Sequence, residues 1–239
     1  MLLRFEQRLS DSPFVERVWR SSSRAAGAFY SMAEPNLELV VARVGDAPPQ
    51  VILRGPVTRA SIADCPAGGE WLGIRLRIGT HLPSLPTAAL LDHRSAVLPD
   101  AGGGRFWLGD HAWEVPTFED AECFVARLAA AGVIVREGVV EEALVGRGAD
   151  VGLRSTQRRF LRAVGLSREE LRQIERARHA AWLLRGGMPV LDVVDQAGYF
   201  DQPHLSRALR RLIGPTPGGV AQGQDQLSLL YNTAPPLRA

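Results

Sequence analysis

The sequence has no lysine, only two cysteines and no long apolar run. The scarcity of cysteine and of apolar runs excludes several classes of protein. All 28 basic residues among its 239 residues are arginines. Cys65 and Cys123 stand far apart, without the Cys-x-x-Cys pairs of a zinc site or the repeated cysteines of a disulfide framework. No segment approaches the ~20 apolar residues that span a bilayer, and the first residues lack the apolar core of a signal peptide. We therefore expect a soluble, cytoplasmic protein without a membrane partner.

Motifs of catalysis and of metal binding are absent as well. The three glycines at 102–104 are not followed by the Gly-Lys-Ser/Thr of a phosphate-binding loop, and the chain has no Gly-x-Ser-x-Gly elbow. His81, His93 and His111 form no close His-x-His pair that would favour zinc or iron. We expect no enzyme, no metal and no cofactor.

Charge is distributed unevenly along the chain. Residues 1–139 carry 14 arginines and 16 acids, a balance of −2, whereas residues 140–220 carry 13 arginines and 9 acids, a balance of +4. A basic surplus in one region favours contact with phosphates. The guanidinium fork also pairs bidentately with a guanine edge, although the codon bias of a GC-rich genome explains the whole-chain preference for arginine better.

The first half of the chain has the pattern of short strands separated by turns, which is typical of a β-sandwich or barrel. Thr117, with Asp120 in a partial capping box, opens a helix that Gly132 ends, and we place the boundary between the two halves at Val133–Gly138. The candidate strands are Phe14–Arg20, Ala26–Met32, Leu37–Val44, Gln50–Arg54, Thr58–Ala63, Trp71–Ile78 and Arg105–Leu108.

The strand Trp71–Ile78 alternates most clearly. Arg75 and Arg77, with Trp71, fall on one of its faces and would suit a cavity for an anionic or aromatic effector. We favour instead an outward face whose arginine stems lie over the sheet.

The pattern of the second half of the chain predicts a series of helices. One short helix covers Val139–Val145, and the next begins at Gly152 or Leu153 and ends at Gly165. A long helix follows, with a Ser167/Glu170 capping box at its start and Gly186-Gly187 at its end. Its ~18 residues would span roughly 27 Å.

The stretch from Pro189 to Gly214 predicts two short helices around a tight turn. Gly198 can adopt the left-handed conformation that ends the first helix, and Asp201 is a good N-cap for the second. Gly214 would stop the second helix, and Pro215 and Pro217 would prevent a restart. A helix pair of this kind, with Gln, Ser and Arg on the free face of its second member, describes a DNA-reading helix-turn-helix.

The residues of this stretch carry a family resemblance. Gly-Tyr-x-Asp-Gln-x-His-Leu-Ser-Arg, from Gly198, and the following Arg-Arg-Leu-x-Gly-x-Thr-Pro resemble the second helix-turn-helix of the AraC/XylS regulators of bacterial transcription. The resemblance extends back to about Val139 and so covers roughly the last two-fifths of the chain. It is weaker before that residue.

This resemblance implies an α+β protein in three parts. Residues 1–136 would be a β-rich regulatory domain, a cupin-like barrel or sandwich that binds an effector or dimerises. Residues 137–221 would be an all-α tandem helix-turn-helix domain, and residues 222–239 a C-terminal tail. The implied partners are double-stranded DNA, a small-molecule effector, RNA polymerase if the protein is an activator, and a second copy of the chain in a homodimer.

The resemblance also implies which side chains face DNA. In the second helix-turn-helix they are Gln202, Pro203, Ser206, Arg207 and Arg210, and in the first they are Arg154, Gln157, Arg158 and Arg162. Gln202 would pair with adenine, Pro203 would offer only apolar contact, and Arg207 would contact guanine or phosphate unless an internal salt bridge holds it. His204 and Tyr199 are expected to pack and cap.

The first helix-turn-helix departs from the family pattern. Gly152 stands where a serine N-cap is usual, Thr156 replaces a buried aliphatic residue, and the turn at 146–150 is irregular. These departures motivate an alternative, an effector-binding or dimerising interaction protein whose DNA-binding domain is weakened. A third hypothesis, a cupin-type metalloenzyme, would require a stoichiometric metal.

Overall fold

A computed structural model describes residues 3–92, 94–144 and 153–223, and these residues form an α+β protein. The strands are β1 (Leu3–Leu9), β2 (Val15–Ser23), β3 (Gly27–Ser31), β4 (Glu38–Val44), β5 (Gln50–Arg54), β6 (Ser61–Cys65), β7 (Gly69–Leu76), β8 (Thr80–His81), β9 (Ala96–Val97), β10 (Asp100–Gly102), β11 (Arg105–Leu108), β12 (His111–Glu114) and β13 (Val135–Arg136). The helices are α1 (Ala121–Ala130), α2 (Gly138–Leu144), α3 (Leu153–Val164), α4 (Arg168–Arg185), α5 (Val190–Gln196), α6 (Gln202–Leu212) and α7 (Pro217–Gln222), with a 3-10 helix at Thr87–Leu90.

The described residues fall into two compact units. Those within 1–27, 36–56 and 65–167 form the β-rich unit, and those within 28–35, 57–64 and 168–239 form the helical unit. Two excursions of the N-terminal half thus join the helical unit, while α2 and α3 join the β-rich unit. The division by compactness therefore differs from the sequence division after residue 136, which remains a prediction about domain borders.

The main sheet of the β-rich unit is open. Its six strands are arranged in the order β1-β2-β7-β4-β5-β9, and neighbouring strands pair antiparallel. In register, Val18 lies opposite Ile74, Ile74 opposite Leu39, and Leu39 opposite Leu53. Of the barrel or sandwich that was predicted, a closed barrel is not found among the described residues, because β1 and β9 end the sheet without pairing with each other.

One face of this sheet carries the core of the unit. The three-stranded sheet β10-β11-β12 and helix α1 pack against it, through Phe106 and Phe124, whose ring centroids lie 6.0 Å apart. Thr117 and Asp120 exchange the predicted reciprocal hydrogen bonds, of 2.8 and 3.2 Å, but the α-helix begins only at Ala121.

The other face of the sheet is also buried, which corrects the prediction for Arg75. That side chain is 1% exposed and lies 3.9 Å from Glu38, whose carboxylate also accepts from Trp19 Nε1 at 2.7 Å. The Trp19 ring covers Gly73, where a Cβ would approach it to 2.0 Å. Arg77 donates to the backbone carbonyls of Ser10 and Ser12. Arg75 thus lies buried beside an acidic side chain, and backbone carbonyls hold Arg77.

In the helical unit, local signals set most helix ends. Gly187, Gly198 and Gly214 follow α4, α5 and α6 with φ of 87°, 68° and 113°. The prediction that prolines prevent a restart is wrong: α7 begins at Pro217, and the Thr216 side chain accepts from Gly219 N at 3.2 Å. Proline suits the first helical position because the N–H it lacks would have no partner there.

Residues 28–35 and 57–64 pack around the end of α6 within the same unit. The backbone amides of Ala33 and Ala60 donate to the carbonyls of Leu212 and Arg211, both at 2.8 Å. These bonds satisfy acceptors that a helix leaves open at its C-terminus. Glu34 pairs with Arg178 of α4 at 2.7 Å, which ties the same segment to a second helix.

Candidate nucleic-acid interface

Helices α5 and α6 are joined by a tight turn that fixes the start of α6. Gly198 N and Tyr199 N donate to the carbonyls of Asp195 and Val194, at 3.1 and 2.8 Å, which closes the end of α5. Asp201 is extended and its carboxylate accepts from His204 N at 2.6 Å, so the predicted N-cap is confirmed. The His204 ring packs edge-on against the Tyr199 ring at 5.1 Å, as predicted.

Helix α6 is divided lengthwise into a buried and an open face. Leu205 and Leu209 are fully buried and Leu212 is 3% exposed, and these residues hold the helix in the unit. The predicted DNA-facing residues Gln202, Pro203, Arg207 and Arg210 are exposed, and Ser206 is half-buried. The helix therefore brings an amide, a hydroxyl and two guanidinium groups together on its accessible side.

Helix α3 presents a similar face in the β-rich unit. Arg154, Gln157, Arg158 and Arg162 are all exposed, and Phe160, on the opposite side, is 1% exposed. Thr87 Oγ1 donates to the Ala163 carbonyl at 3.0 Å and anchors the end of the helix on the 3-10 helix. Arg159, which was not predicted to face DNA, pairs with Glu137 at 2.8 Å.

The residues that depart from the family pattern are only partly visible. Thr156 lies in α3 and is half-buried. Gly152 and the turn at 146–150 lie outside the described residues.

A cavity between α4 and α6 contains residues that the sequence analysis did not single out. It has a volume of about 270 Å³ and is lined by Gln173, Arg176, Tyr199, His204, Arg207, Ala208, Arg211 and Leu212. Arg176 and Gln173 share one side of α4, beside the buried Ile174 and Ala177. Their helical spacing was the available signal, but no pattern in the sequence indicates that this side of α4 lies near Arg211.

A larger cavity, of about 680 Å³, lies in the β-rich unit. Val41, Leu72 and Phe118 are among the apolar residues that line it, and Arg20 stands 4.5 Å above the Phe118 ring. The lining also contains Trp71 but neither Arg75 nor Arg77, so these three residues do not line one cavity together. Arg20 pairs with Glu6 at 2.7 Å and Arg43 pairs with Glu70, so the rim carries charges of both signs.

His81 is buried beside α3, on strand β8. Its Nδ1 lies 3.5 Å from the Gly79 carbonyl oxygen, and Glu137 and Arg162 are the charged groups that act on it. Burial lowers the pKa of His81, and the carbonyl and Glu137 only partly offset this. The imidazole is therefore held neutral near pH 7.

Two general searches of the described residues found no further site. No three histidine, cysteine or acidic side chains there come together in a way that would hold a metal ion. No helix in that part of the chain has the length and apolar character needed to cross a membrane.

Comparison with known families gives one match. A family model described as a helix-turn-helix domain matches residues 146–223. The matched range contains α3 to α7 and includes all nine residues predicted to face DNA. No curated protein and no solved structure gave a match.

Proposed function

Because this chain belongs to the AraC/XylS family through its helix-turn-helix domain, we propose that it regulates transcription by sequence-specific binding to double-stranded DNA. The observation that carries the proposal is the capped α5–α6 pair, whose buried leucines leave Gln202, Arg207 and Arg210 exposed on one side of α6. A helix of this diameter fits the major groove of B-DNA.

The exposed side chains divide by chemistry. Gln202, at the first turn of α6, suits bidentate pairing with adenine, and the ring of Pro203 suits contact with a thymine methyl group. Ser206 can donate to a base or a phosphate, and Arg210 adds positive charge toward the backbone. On α3, Arg154, Gln157, Arg158 and Arg162 supply a second set of contacts, in an adjacent segment of the major groove.

The larger cavity is our candidate for the effector site. Its volume falls in the usual range of small-molecule sites, and it combines apolar walls with charged groups at its rim. An effector there would regulate DNA binding only if it binds two states of the protein with different affinities. Residues 28–35 and 57–64 would transmit the change of state from the β-rich unit to α6. These segments continue directly from strands of the β-rich unit and form hydrogen bonds with the end of α6.

The alternative of a weakened DNA-binding domain predicts a different salt response. If about six phosphates are contacted, the logarithm of the binding constant should fall against the logarithm of salt concentration with a slope near −5. Titration of a fluorescent duplex at several salt concentrations between about 50 and 200 mM measures this slope. A shallow slope, together with equal affinity for unrelated duplexes, would favour the interaction protein over the regulator.

This function also suggests where the protein acts and with what. We place it in the cytoplasm with the bacterial chromosome, as a homodimer. If it is an activator, RNA polymerase is its second macromolecular partner.

A further inference from the structure

The cavity between α4 and α6 has an unusual charge for its size. Three of its eight lining residues are arginines, namely Arg176, Arg207 and Arg211, and a glutamine and a histidine stand beside them. None of the lining residues is acidic. Within the described part of the chain, none of the three guanidinium groups forms an ion pair with a carboxylate. Like charges gathered in this way repel each other unless an anion joins them.

Arg176 is held in place for this role. Its guanidinium group stacks 4.5 Å from the Tyr199 ring centroid, and its Nη1 donates to the Gly198 carbonyl at 3.3 Å. Arg176 is therefore fixed to the turn that precedes α6. Arg207 and Arg211, four residues apart on α6, are exposed and reach the same cavity from the other side.

Tyr199 provides an independent indication of a ligand. Its side chain lines the cavity, the residue is 5% exposed, and its hydroxyl has only the Arg176 guanidinium group beside it, with no hydrogen bond of good geometry among the described residues. A buried hydroxyl without a partner costs free energy, so such groups usually serve a ligand or a water molecule. Burial also raises the pKa of Tyr199, against the opposing effect of Arg176, so the hydroxyl keeps its proton and can donate it to an anion.

We infer that this cavity is a phosphate-binding site, in which Arg176, Arg207, Arg211 and the Tyr199 hydroxyl hold one phosphate group of the DNA backbone. The inference rests on the proposed function for the source of the phosphate. Residues 204, 207, 208 and 211 form the flank of α6 between its open face and its buried face. When the open face of a helix enters the major groove, its flanks meet the sugar–phosphate strands that border the groove.

The site assigns different tasks to residues of one helix. Arg207 contacts the backbone and fixes the register of α6, while Gln202 and Ser206 read bases. Arg176 of α4 takes part in binding although it lies outside both helix-turn-helix pairs. Binding of one phosphate would thereby connect α4, which supplies Arg176, with α6, the helix proposed to contact bases.

The sharpest test removes one charge at a time from the full-length protein. Arg211→Gln should reduce the magnitude of the log–log salt slope by about 0.9, because one phosphate contact is lost. The matched control is Arg172→Gln, which removes an arginine from α4 that pairs with Glu169 at 3.7 Å and does not line the cavity. The control should keep the wild-type slope.

Tyr199→Phe tests the hydroxyl without disturbing the stacked ring. We expect the unfolding midpoint to stay the same or rise, since a buried group without a partner is removed. Affinity for a cognate duplex should nevertheless fall about three- to tenfold, as for the loss of one hydrogen bond. This combination separates a ligand contact from a structural role, which would lower the midpoint instead.

Two outcomes would overturn the site, and a third would change the source of its phosphate. A wild-type slope in Arg211→Gln, while the wild-type protein binds its duplex with a steep slope, would remove the site but leave the proposed function intact. Equal reductions of slope in Arg211→Gln and Arg172→Gln would show a general effect of charge. If inorganic phosphate at millimolar concentration raises the unfolding midpoint of the wild type and not of Arg211→Gln, and the slopes agree, the source is a free anion rather than DNA.

Discussion

At the scale of single residues, the clearest individual role that we propose is that of Gln202. It stands in the first turn of α6, next to the Asp201 cap that fixes where the helix begins. Side chains in the first turn of a recognition helix reach furthest into the groove. An amide there reads one base pair, whereas a guanidinium group on the flank contributes affinity for any sequence.

Gln202→Ala should therefore cost specificity at one position of the DNA site. We expect a loss of about 1–3 kcal/mol at that base pair, with little change on duplexes already altered there. Competition titrations against single-substituted duplexes measure this pattern. Arg207→Ala is the comparison, and it should weaken binding on all duplexes alike. A uniform loss in Gln202→Ala would show that the amide contacts the backbone.

His81 gives a prediction about pH. The pKa of His81 is lowered in the folded protein, so between that value and about 6.5 the unfolded chain binds more protons than the folded chain. The stability that its neutral form provides is complete above about pH 6.5 and is lost as the pH falls. Denaturant unfolding between about pH 5 and 7.5 should show this loss.

The matched variants for this prediction are His81→Gln and His111→Gln. The first should flatten the dependence on pH, leaving the part due to His179, whose pKa burial also lowers. His111 is exposed, and His111→Gln serves as the control for replacing a histidine as such. If both variants keep the wild-type curve, His81 does not titrate as its burial implies.

At the scale of elements, the end of α6 depends on a close approach. Gly214 has a φ of 113°, and a Cβ there would stand 2.4 Å from the Tyr30 ring, in the same unit. Few side chains adopt this backbone conformation, and the ring leaves no space for one. The packing of the segment 28–35, which contains Tyr30, against the end of α6 therefore requires glycine at this position.

Gly214→Ala should destabilise the helical unit, by at least the 1–3 kcal/mol typical of backbone strain. Gly218→Ala is its control, because that position lies in α7 and a Cβ there would meet nothing within 4 Å. The control should be neutral or more stable by up to about 1 kcal/mol. Thermal unfolding of both variants decides the matter, and equal midpoints would contradict the close packing of Tyr30 on Gly214.

Local signals made the helices of the second half predictable. Asp201, Gly198 and Gly214 act on their own neighbours, so a pattern of caps located α5 and α6 to within a residue or two. The edge strand β1 was missed because its mostly polar residues lack a continuous apolar face. Pro217 was misinterpreted as a barrier to helix formation although it opens α7.

Contacts between distant parts of the chain could not be predicted from such local patterns. Nothing near residues 28–35 or 57–64 indicates that they join the helical unit, because their partners lie some 150 residues away. The burial of Arg75 and the meeting of Arg176 with Arg211 depend on the fold in the same way. Helix periodicity thus predicts which side of α6 is open, whereas the DNA-facing residues were implied by the family resemblance, and the cavity between α4 and α6 depends on the fold.

At the scale of the whole molecule, covalent connections link the unit that contains the larger cavity to the unit that contains α6. The chain passes between the units at residues 27/28, 35/36, 56/57, 64/65 and 167/168. An effector that favours one state of the β-rich unit would therefore act on the segments that hold α6. By linkage, DNA would change the affinity for that effector by the same factor.

The most direct test of the central claim is selection of genomic DNA fragments by the purified full-length protein, at roughly physiological salt. The account predicts recovery of fragments that share one motif, with contacts spread over about two turns of DNA. Recovery of unselected fragments alone, by the full-length protein and by its C-terminal half alike, would contradict sequence-specific binding.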